Sequence, residues 1–388
     1  MNKVNVIGAG ITGLMSAYFL AKKGHQVTVY EQERHPAMQC SFANGGQISV
    51  CNSETWNNWP TVYKGVKWLF KKDAPLLIRP YPSARKIAWM AGFLKHTIAG
   101  NHLSNTTKTI RLGNDSTYLY DKIIKEEGIQ FNQVKQGMMH VFTNEKDMNY
   151  MYDLRDYFSH NGLKIEMLSP AGVIRKDGAM IPFKNVVGGA YAEADWSGDI
   201  HQFCTELYHI LYRKYKVRFK FNTFVEDPRD LDGITVLANG HQLYDHAKLL
   251  GEFLNIYPVK GYSITINLND RLDQIHAPTI PLLDNNKKIV TSRLGNKLRV
   301  AGTAELTGVN YDIRQDRIKP LLNWVHENFP GINTHDYSQW ACLRPMSSDM
   351  MPIVRKSKRY DNIYYHGGHG HLGWTLAAAT GKQLADLI

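Results

Sequence analysis

The amino-acid sequence predicts an α/β fold in which a Rossmann-like domain is interleaved with an α+β domain of mostly antiparallel sheet. Two observations predict it. Residues 3–31 spell a strand, a glycine-rich turn, a helix, a second strand and a terminal acid, in that order. The chain of 388 residues is long enough for two domains, yet it holds no repeat, low-complexity tract or long polar linker to separate them. A second domain must therefore be built from segments that alternate along the chain with those of the first.

Lys3–Ile7 reads as a short buried strand, and Gly8-Ala9-Gly10-Ile11-Thr12-Gly13 follows it at once. Leu14 to Lys23 has a helical pattern that places Ala17 and Leu20 against a sheet, and Gly24-His25 ends it. Gln26–Tyr30 alternates Val27 and Val29 as a strand does, and Glu31 closes the unit. A GxGxxG motif alone is weak, but the complete unit is the context in which the motif binds a dinucleotide. Gly8 makes the tight turn, Gly10 lets the backbone approach a pyrophosphate, and Gly13 lets helix and strand pack closely. Ile11 and Thr12 open the helix, whose N-terminus offers N–H groups and a positive dipole end to the pyrophosphate. Glu31 would accept hydrogen bonds from ribose hydroxyls. An acid there serves FAD or NAD equally, so the rest of the chain has to decide. Helical periodicity predicts further helices over 114–127, 147–161 and 200–214, with strands over 138–143, 217–222, 261–267 and 297–302.

Composition narrows the partners. A formal charge of +11 attracts nucleic acid, anionic lipid or acidic small molecules alike. No zinc spacing, RNP-like aromatic motif or basic helix points to nucleic acid. The four scattered cysteines (Cys40, Cys51, Cys204 and Cys342) form no CxxC pair and no disulfide framework, and no metal site is expected. The glycines at the apolar N-terminus and the lack of a small-residue cleavage site argue against a signal peptide. No apolar stretch is long enough to span a bilayer. The expectation is a cytoplasmic protein with peripheral contact at the inner membrane face.

Four more segments make the resemblance specific. They are Ser41-Phe42-Ala43-Asn44-Gly45-Gly46-Gln47-Ile48-Ser49, the run from Val66-Lys67-Trp68-Leu69-Phe70 to Pro80, Tyr257-Pro258-Val259-Lys260-Gly261-Tyr262-Ser263, and Leu343-Arg344-Pro345-Met346 with the stretch from Gly367 to Thr375. Together they make the whole chain resemble the D-amino-acid oxidase superfamily of FAD-dependent oxidoreductases, and within it the D-amino-acid dehydrogenase small subunits. The resemblance implies FAD as cofactor. It places Ser41, Ala43, Asn44, Gly46, Gln47 and Ile48 against the flavin ring and Val225 in the adenine pocket. It brings Gly368, His369, Gly370, His371, Leu372, Gly373, Trp374 and Thr375 to the cofactor as well. A helix from Leu372 to Ile388 would aim its N-terminus at the flavin N1–C2=O edge, where charge accumulates on reduction. Arg344 would clamp a substrate carboxylate bidentately, with Tyr262 as a weaker second contact. Residues 1–80, 195–255 and 340–388 would form the FAD-binding domain, and 81–194 and 256–339 the substrate-binding domain.

The implied chemistry is oxidative deamination of a small, D-configured amino acid by hydride transfer from Cα to flavin N5, giving a 2-oxo acid and ammonia. No catalytic side chain is required, because the flavin carries the reaction. The electron acceptor is quinone or oxygen, and the oligomeric state is open. Two alternatives remain: a glycine/sarcosine-type amine oxidase using oxygen, and a flavin-binding subunit of a larger dehydrogenase complex. A further reading makes Trp68, Leu69 and Phe70, flanked by Lys67, Lys71 and Lys72, a membrane-docking face.

The sequence also departs from the family pattern. The stretch between Val225 and Thr235 is short where a long hairpin is usual, and Leu237-Ala238-Asn239-Gly240 replaces a turn rich in alanine and glycine. Met350 follows Asp349 where glycine is expected, Arg355 stands in place of another glycine, and His371 replaces a small hydroxyl residue. Cys342, seven residues before Asp349, sits where sarcosine-oxidase relatives place a flavin-linked cysteine, so a thioether to the flavin is a further candidate.

Overall fold

A computed structural model describes residues 1–68, 75–79 and 83–388. Among these, the strands Ile353–Lys356, Ile363–Gly367, Ile234–Leu237, Lys3–Ile7, Gln26–Tyr30 and Arg218–Lys220 lie side by side, in that order, as one six-stranded sheet. All of its pairings are parallel except that of the edge strand Ile353–Lys356. A parallel sheet needs cover on both faces. The helices Ile11–Lys22, Ile200–Arg213 and Gly373–Leu387 share one core cluster with Val4, Val6 and Val27, while Leu243, Ala247 and Leu250 pack with Ile7 and Leu237 in another. The last helix lies so close to the first that a Cβ on Gly381 would come within 3.0 Å of the Met15 backbone.

The second large sheet is mixed and built mainly on antiparallel pairs. Its longest strand, Ile256–Asn267, runs between Tyr337–Ser347 and Lys297–Leu306. Side chains on a strand alternate faces. Tyr262, Ile264 and Ile266 therefore pack with Leu321 and Trp324 of helix Gln315–Asn328, while Gly261 and Ser263 face the other way. Directly opposite residues share a face, so Cys342 (paired with Gly261) and Arg344 (paired with Val259) join that second side. The register of this one strand pair sets which residues can meet a ligand.

The expected elements are present with shifted ends. The strand expected over 261–267 begins at Ile256, and the helix expected from 114 begins at His102. The early turns of that helix are polar and carry little apolar period. They are held instead by contacts such as Thr109 Oγ1 to the Ser53 carbonyl, 2.7 Å. Of the amphipathic segment expected around 66–80, Val66, Lys67 and Trp68 end the helix Trp59–Trp68, and Leu76–Ile78 form a strand beside Lys297–Leu306. Leu69, Phe70, Lys71, Lys72 and Pro80 lie outside the described residues. No helix among the described residues is long and apolar enough to cross a membrane.

Candidate active site

A cavity of about 1200 Å³ runs from the glycine-rich turn to the inner face of the second sheet. At its first end the three motif glycines are bare for different reasons. Gly8 has φ 104°, and a Cβ there would lie 2.6 Å from the Ala238 carbonyl oxygen. A Cβ on Gly13 would lie 1.9 Å from the Gly8 carbonyl oxygen, so helix and strand could not close. Gly10 is different: its Cβ would meet only Ser41 Oγ, at 3.6 Å, an ordinary contact. Gly10 lines the cavity and Gly13 does not, so the space Gly10 leaves open belongs to a ligand. Ile11 and Thr12 line it too, at the start of their helix, and Val225 closes the wall with its carbonyl oxygen 2.9 Å from His246 Nε2.

Glu31 is buried beside this turn. Its Oε2 accepts the Ala9 N–H at 2.7 Å and its Oε1 the Glu33 N–H at 2.9 Å. Burial raises its pKa, and these backbone donors oppose the rise. A carboxylate so held keeps lone pairs for hydroxyl donors in the cavity.

The loop after Cys40 is laced to both sheets. Ser41 Oγ accepts the Ile11 N–H (3.1 Å), Ser263 Oγ donates to the Ala43 carbonyl (2.7 Å), and Ser292 Oγ donates to the Gly45 carbonyl (2.8 Å). Arg299 donates to the Asn44 carbonyl at 2.9 Å, and Asn44 Oδ1 takes the Gly46 N–H at 2.9 Å. Gln47 Nε2 reaches the Leu282 and Thr291 carbonyls. Ser41, Ala43, Asn44, Gly46 and Gln47 all line the cavity. Ile48 does not, because the short strand Gln47–Ile48 turns it into the core.

The C-terminal glycine stretch divides in the same way. His369, Gly370, His371, Gly373 and Trp374 line the cavity, whereas Gly368, Leu372 and Thr375 stand behind its wall. Trp374 packs its ring edge-on against Trp196 at 5.6 Å, so what it presents to a ligand is backbone. Thr375 Oγ1 accepts the Ser49 N–H at 3.2 Å and ties the two cofactor loops together. His369 and His366 both reach Thr380 Oγ1 at 2.9 Å, and burial holds His369 down at about pKa 3. The His371 ring stacks on Trp56 at 4.5 Å, and burial lowers its pKa to about 4. Both imidazoles are neutral at pH 7.

At the far end stands Arg344. Its Nη1 donates to the Thr303 carbonyl at 2.8 Å, and the guanidinium lies where a Cβ on Gly261 would be, 2.2 Å from Nη2. Only glycine at 261 leaves room for it. Arg344 lines the cavity and makes no ion pair with a carboxylate among the described residues. Tyr262 does not join it as a free hydroxyl. Its side chain projects to the opposite face of the strand and donates to Glu305 Oε2 at 3.1 Å, beside the buried ion pair of Glu305 with Arg317. Tyr262 is among the residues that line the cavity, but strand parity turns its ring toward helix Gln315–Asn328 and Glu305 holds its hydroxyl. Cys342 is on the cavity side and free, and Cys40 Sγ lies 2.9 Å from the neighbouring Leu343 carbonyl. Hydrogen bonding from Cys40 lowers the Cys342 pKa against the cost of burial, and the Arg344 charge adds to the lowering.

Sequence reasoning missed the residues that complete this end: Trp56, Glu54, Tyr150, His140, Thr303 and Lys288. They come from loops, from helix Glu145–His160 (Tyr150) and from the second sheet (His140 and Thr303), far apart in the chain and without a motif.

A profile of the FAD dependent oxidoreductase family matches residues 3–387, nearly the whole chain. The chain belongs to this family. Its cofactor is FAD, and the protein is an FAD-dependent oxidoreductase. The chain is 41% identical, over 100% of its length and 97% of the relative's, to D-amino acid dehydrogenase 3 of Mesorhizobium japonicum. It is 33% identical to the D-amino acid dehydrogenase of Xanthobacter autotrophicus, over 100% and 95% of the two chains. Among solved structures, glycine oxidase from Geobacillus kaustophilus superposes with a TM-score of 0.76 at 18% identity, covering 100% of this chain and 95% of that one. L-alpha-glycerophosphate oxidase from Mycoplasma pneumoniae, solved with FAD bound, gives a TM-score of 0.72 at 19% identity over 100% and 94%. These likenesses show the fold. The cavity fits the cofactor on its own terms: a space kept open at Gly10, a buried carboxylate beside it, and a volume of about 1200 Å³ that continues along the Ser41–Gln47 loop.

Proposed function

We propose that the protein oxidises a small D-amino acid to its 2-oxo acid and ammonia. The observation that carries the reading is Arg344, a guanidinium on the cavity wall with no carboxylate partner among the described residues. The two relatives named D-amino acid dehydrogenase support it. Bound FAD would supply the electron acceptor, at its N5. The Gly8–Gly13 turn and Glu31 would hold the dinucleotide, and the tethered 41–47 loop and the 369–374 backbone would hold the ring. Residues 1–80, 195–255 and 340–388 would form the FAD-binding domain, apart from the strands Leu76–Ile78 and Tyr337–Ser347, which lie in the second sheet.

Arg344 would fix the substrate by its carboxylate, which positions Cα and leaves the amine free to be neutral. Trp56 and neutral His371 would exclude water around it without adding charge. Tyr262 would act through Glu305 on the sheet rather than on the substrate. No side chain is assigned as an obligatory base, because the flavin chemistry does not require one. Quinone and oxygen are the candidate acceptors; slow reoxidation of substrate-reduced enzyme in air favours quinone.

The test is the Arg344→Lys enzyme loaded with FAD. A rise in KM for D-alanine with the flavin spectrum intact supports the reading, and unchanged kinetics contradict it. A Cys342 thioether to the flavin is a separate proposal, favoured by the position of its lowered-pKa thiol on the cavity wall. Acid precipitation that leaves the yellow colour with the protein supports the link, and colour released to the supernatant rules it out.

A further inference from the structure

We infer that Lys288 reads the substrate's side chain and that the preferred substrates are amino acids carrying a second acidic group; this rests on the reading of the site given above. Lys288 ends the hairpin turn between the strands Leu282–Asp284 and Ile289–Leu294. Asp284 Oδ1 accepts the N–H groups of Asn286 and Lys287, each at 2.9 Å, and the Lys288 N–H bonds the Asp284 carbonyl at 2.8 Å. This turn puts Lys288 at φ 54°, a left-handed conformation that glycine or asparagine adopts at lower steric cost.

The Lys288 side chain is exposed and yet packed round by the chain on nearly every side, because its open surface faces into the cavity. Its Nζ lies 3.3 Å from Asn285 Oδ1 and makes no ion pair with a carboxylate among the described residues. Burial lowers its pKa, Lys64 lowers it further, and Glu54, Asp147 and Asp284 raise it. Those three carboxylates have other partners. Asp147 holds Lys64 at 2.7 Å and Asn144 at 3.1 Å. Glu54 takes the Tyr150 hydroxyl at 2.5 Å and lies 3.3 Å from His102. Asp284 takes the Trp324 indole N–H at 2.9 Å as well as its turn.

Arg344 and Lys288 both bear on one ring: each charge lowers the pKa of His371. Both residues line the cavity together with Trp56 and His371, so two cations without a carboxylate ion pair among the described residues face one cavity. One takes the α-carboxylate, and the second is complementary to an anionic side chain. A neutral substrate leaves it without a directly paired carboxylate in a partly desolvated place, and a basic one meets repulsion.

The FAD-loaded enzyme supplies two independent readouts. Perturbation of the flavin spectrum should show glutarate binding at least about tenfold more tightly than butyrate, and Lys288→Asn, which suits the turn, should erase the difference. In turnover, the kcat/KM ratio of D-glutamate over D-glutamine should fall by about tenfold or more in Lys288→Asn and be held by Lys288→Arg. An unchanged ratio in Lys288→Asn overturns the inference, as does a preference for D-lysine over D-glutamate, which would give the side-chain role to Glu54. If glutarate discriminates through Lys288 but no amino acid reduces the flavin, the anion site stands and the proposed reaction falls. If D-alanine reduces the flavin and glutarate binds no better than butyrate, the reaction stands and the Lys288 assignment falls.

Discussion

At the scale of single residues, what each glycine and each charge leaves free decides where a ligand can sit. Gly13→Ala forces a Cβ into the Gly8 carbonyl oxygen, where 1.9 Å is available, and overpacking of this kind costs about 1–3 kcal/mol. The melting temperature of the FAD-free protein should drop accordingly. Gly10→Ala meets nothing closer than 3.6 Å, so the FAD-free melting temperature should hold while FAD affinity falls. Equal losses of stability in the two variants would contradict the assignment of Gly10 to the ligand. Arg344→Lys keeps the charge and loses the fork, and losing a charge-assisted hydrogen bond costs about 1.5–3 kcal/mol, or roughly ten- to a hundredfold in kcat/KM. Measured kcat/KM for D-alanine within twofold of the parent would sink its role as carboxylate clamp.

Two departures from the family pattern also find their explanation at this scale. Met350 stands where glycine is usual and keeps a left-handed φ of 63°, its side chain buried with Trp89 and Tyr257. Packing offsets the backbone cost. Arg355, in place of another glycine, pairs with Glu252 at 2.8 Å over the Tyr365 ring on the exposed edge strand. Neither change touches the cavity.

At the scale of elements, the cofactor loop 41–47 is positioned by side chains of the second sheet rather than by its own propensity. Ser263 and Ser292 each hold one of its carbonyls, and a hydrogen bond of this type contributes about 0.5–1.5 kcal/mol. The double variant Ser263→Ala/Ser292→Ala should fold with a modest fall in melting temperature and bind FAD several-fold more weakly; unaltered FAD affinity would mean that the loop is preorganised without these tethers. Legibility differs by element for the same reason. The strand–turn–helix–strand of residues 3–31 is local, every part being next to its partner in sequence, and its strand limits at Lys3–Ile7 and Gln26–Tyr30 match the reading from sequence. The side-chain direction of Tyr262 was not legible, because it depends on the register of Ile256–Asn267 against Tyr337–Ser347, pairs some eighty residues apart. Lys288 carries no signal at all in the sequence, where Asn285-Asn286-Lys287-Lys288 reads as an ordinary polar turn.

At the scale of the whole molecule, burial of neutral histidines makes stability depend on pH. His140 and His369 are held near pKa 3, and His241 and His371 near 4, each by burial, against an ordinary value of 6.5. A base whose folded pKa is depressed binds its proton more readily in the unfolded chain. Its contribution is present above about pH 6.5 and lost as the pH falls toward 4. Asp195, raised to about 6 by burial, acts in the opposite sense, losing its contribution as the pH rises through 6. Glu31, also raised by burial, acts in the same sense as Asp195. Four histidines outweigh these two acids, so the melting temperature should fall steadily from pH 7 to pH 4.5; a flat or rising profile would contradict the neutral burial of these rings. The interleaving of the two sheets was legible from the absence of linkers, whereas the shape of the cavity between them was not, since it is made by residues that meet only in the finished fold.

Amino-acid oxidation through FAD bound in this cavity is open to one direct test. The direct measurement is anaerobic: the FAD-loaded protein is mixed with D-alanine and then D-glutamate, and its visible flavin band is followed. Bleaching of that band, with the matching 2-oxo acid and ammonia recovered in equal amounts, is the predicted result. A flavin that stays oxidised with both, and with L-alanine, glycine, sarcosine and D-proline, would contradict the claim.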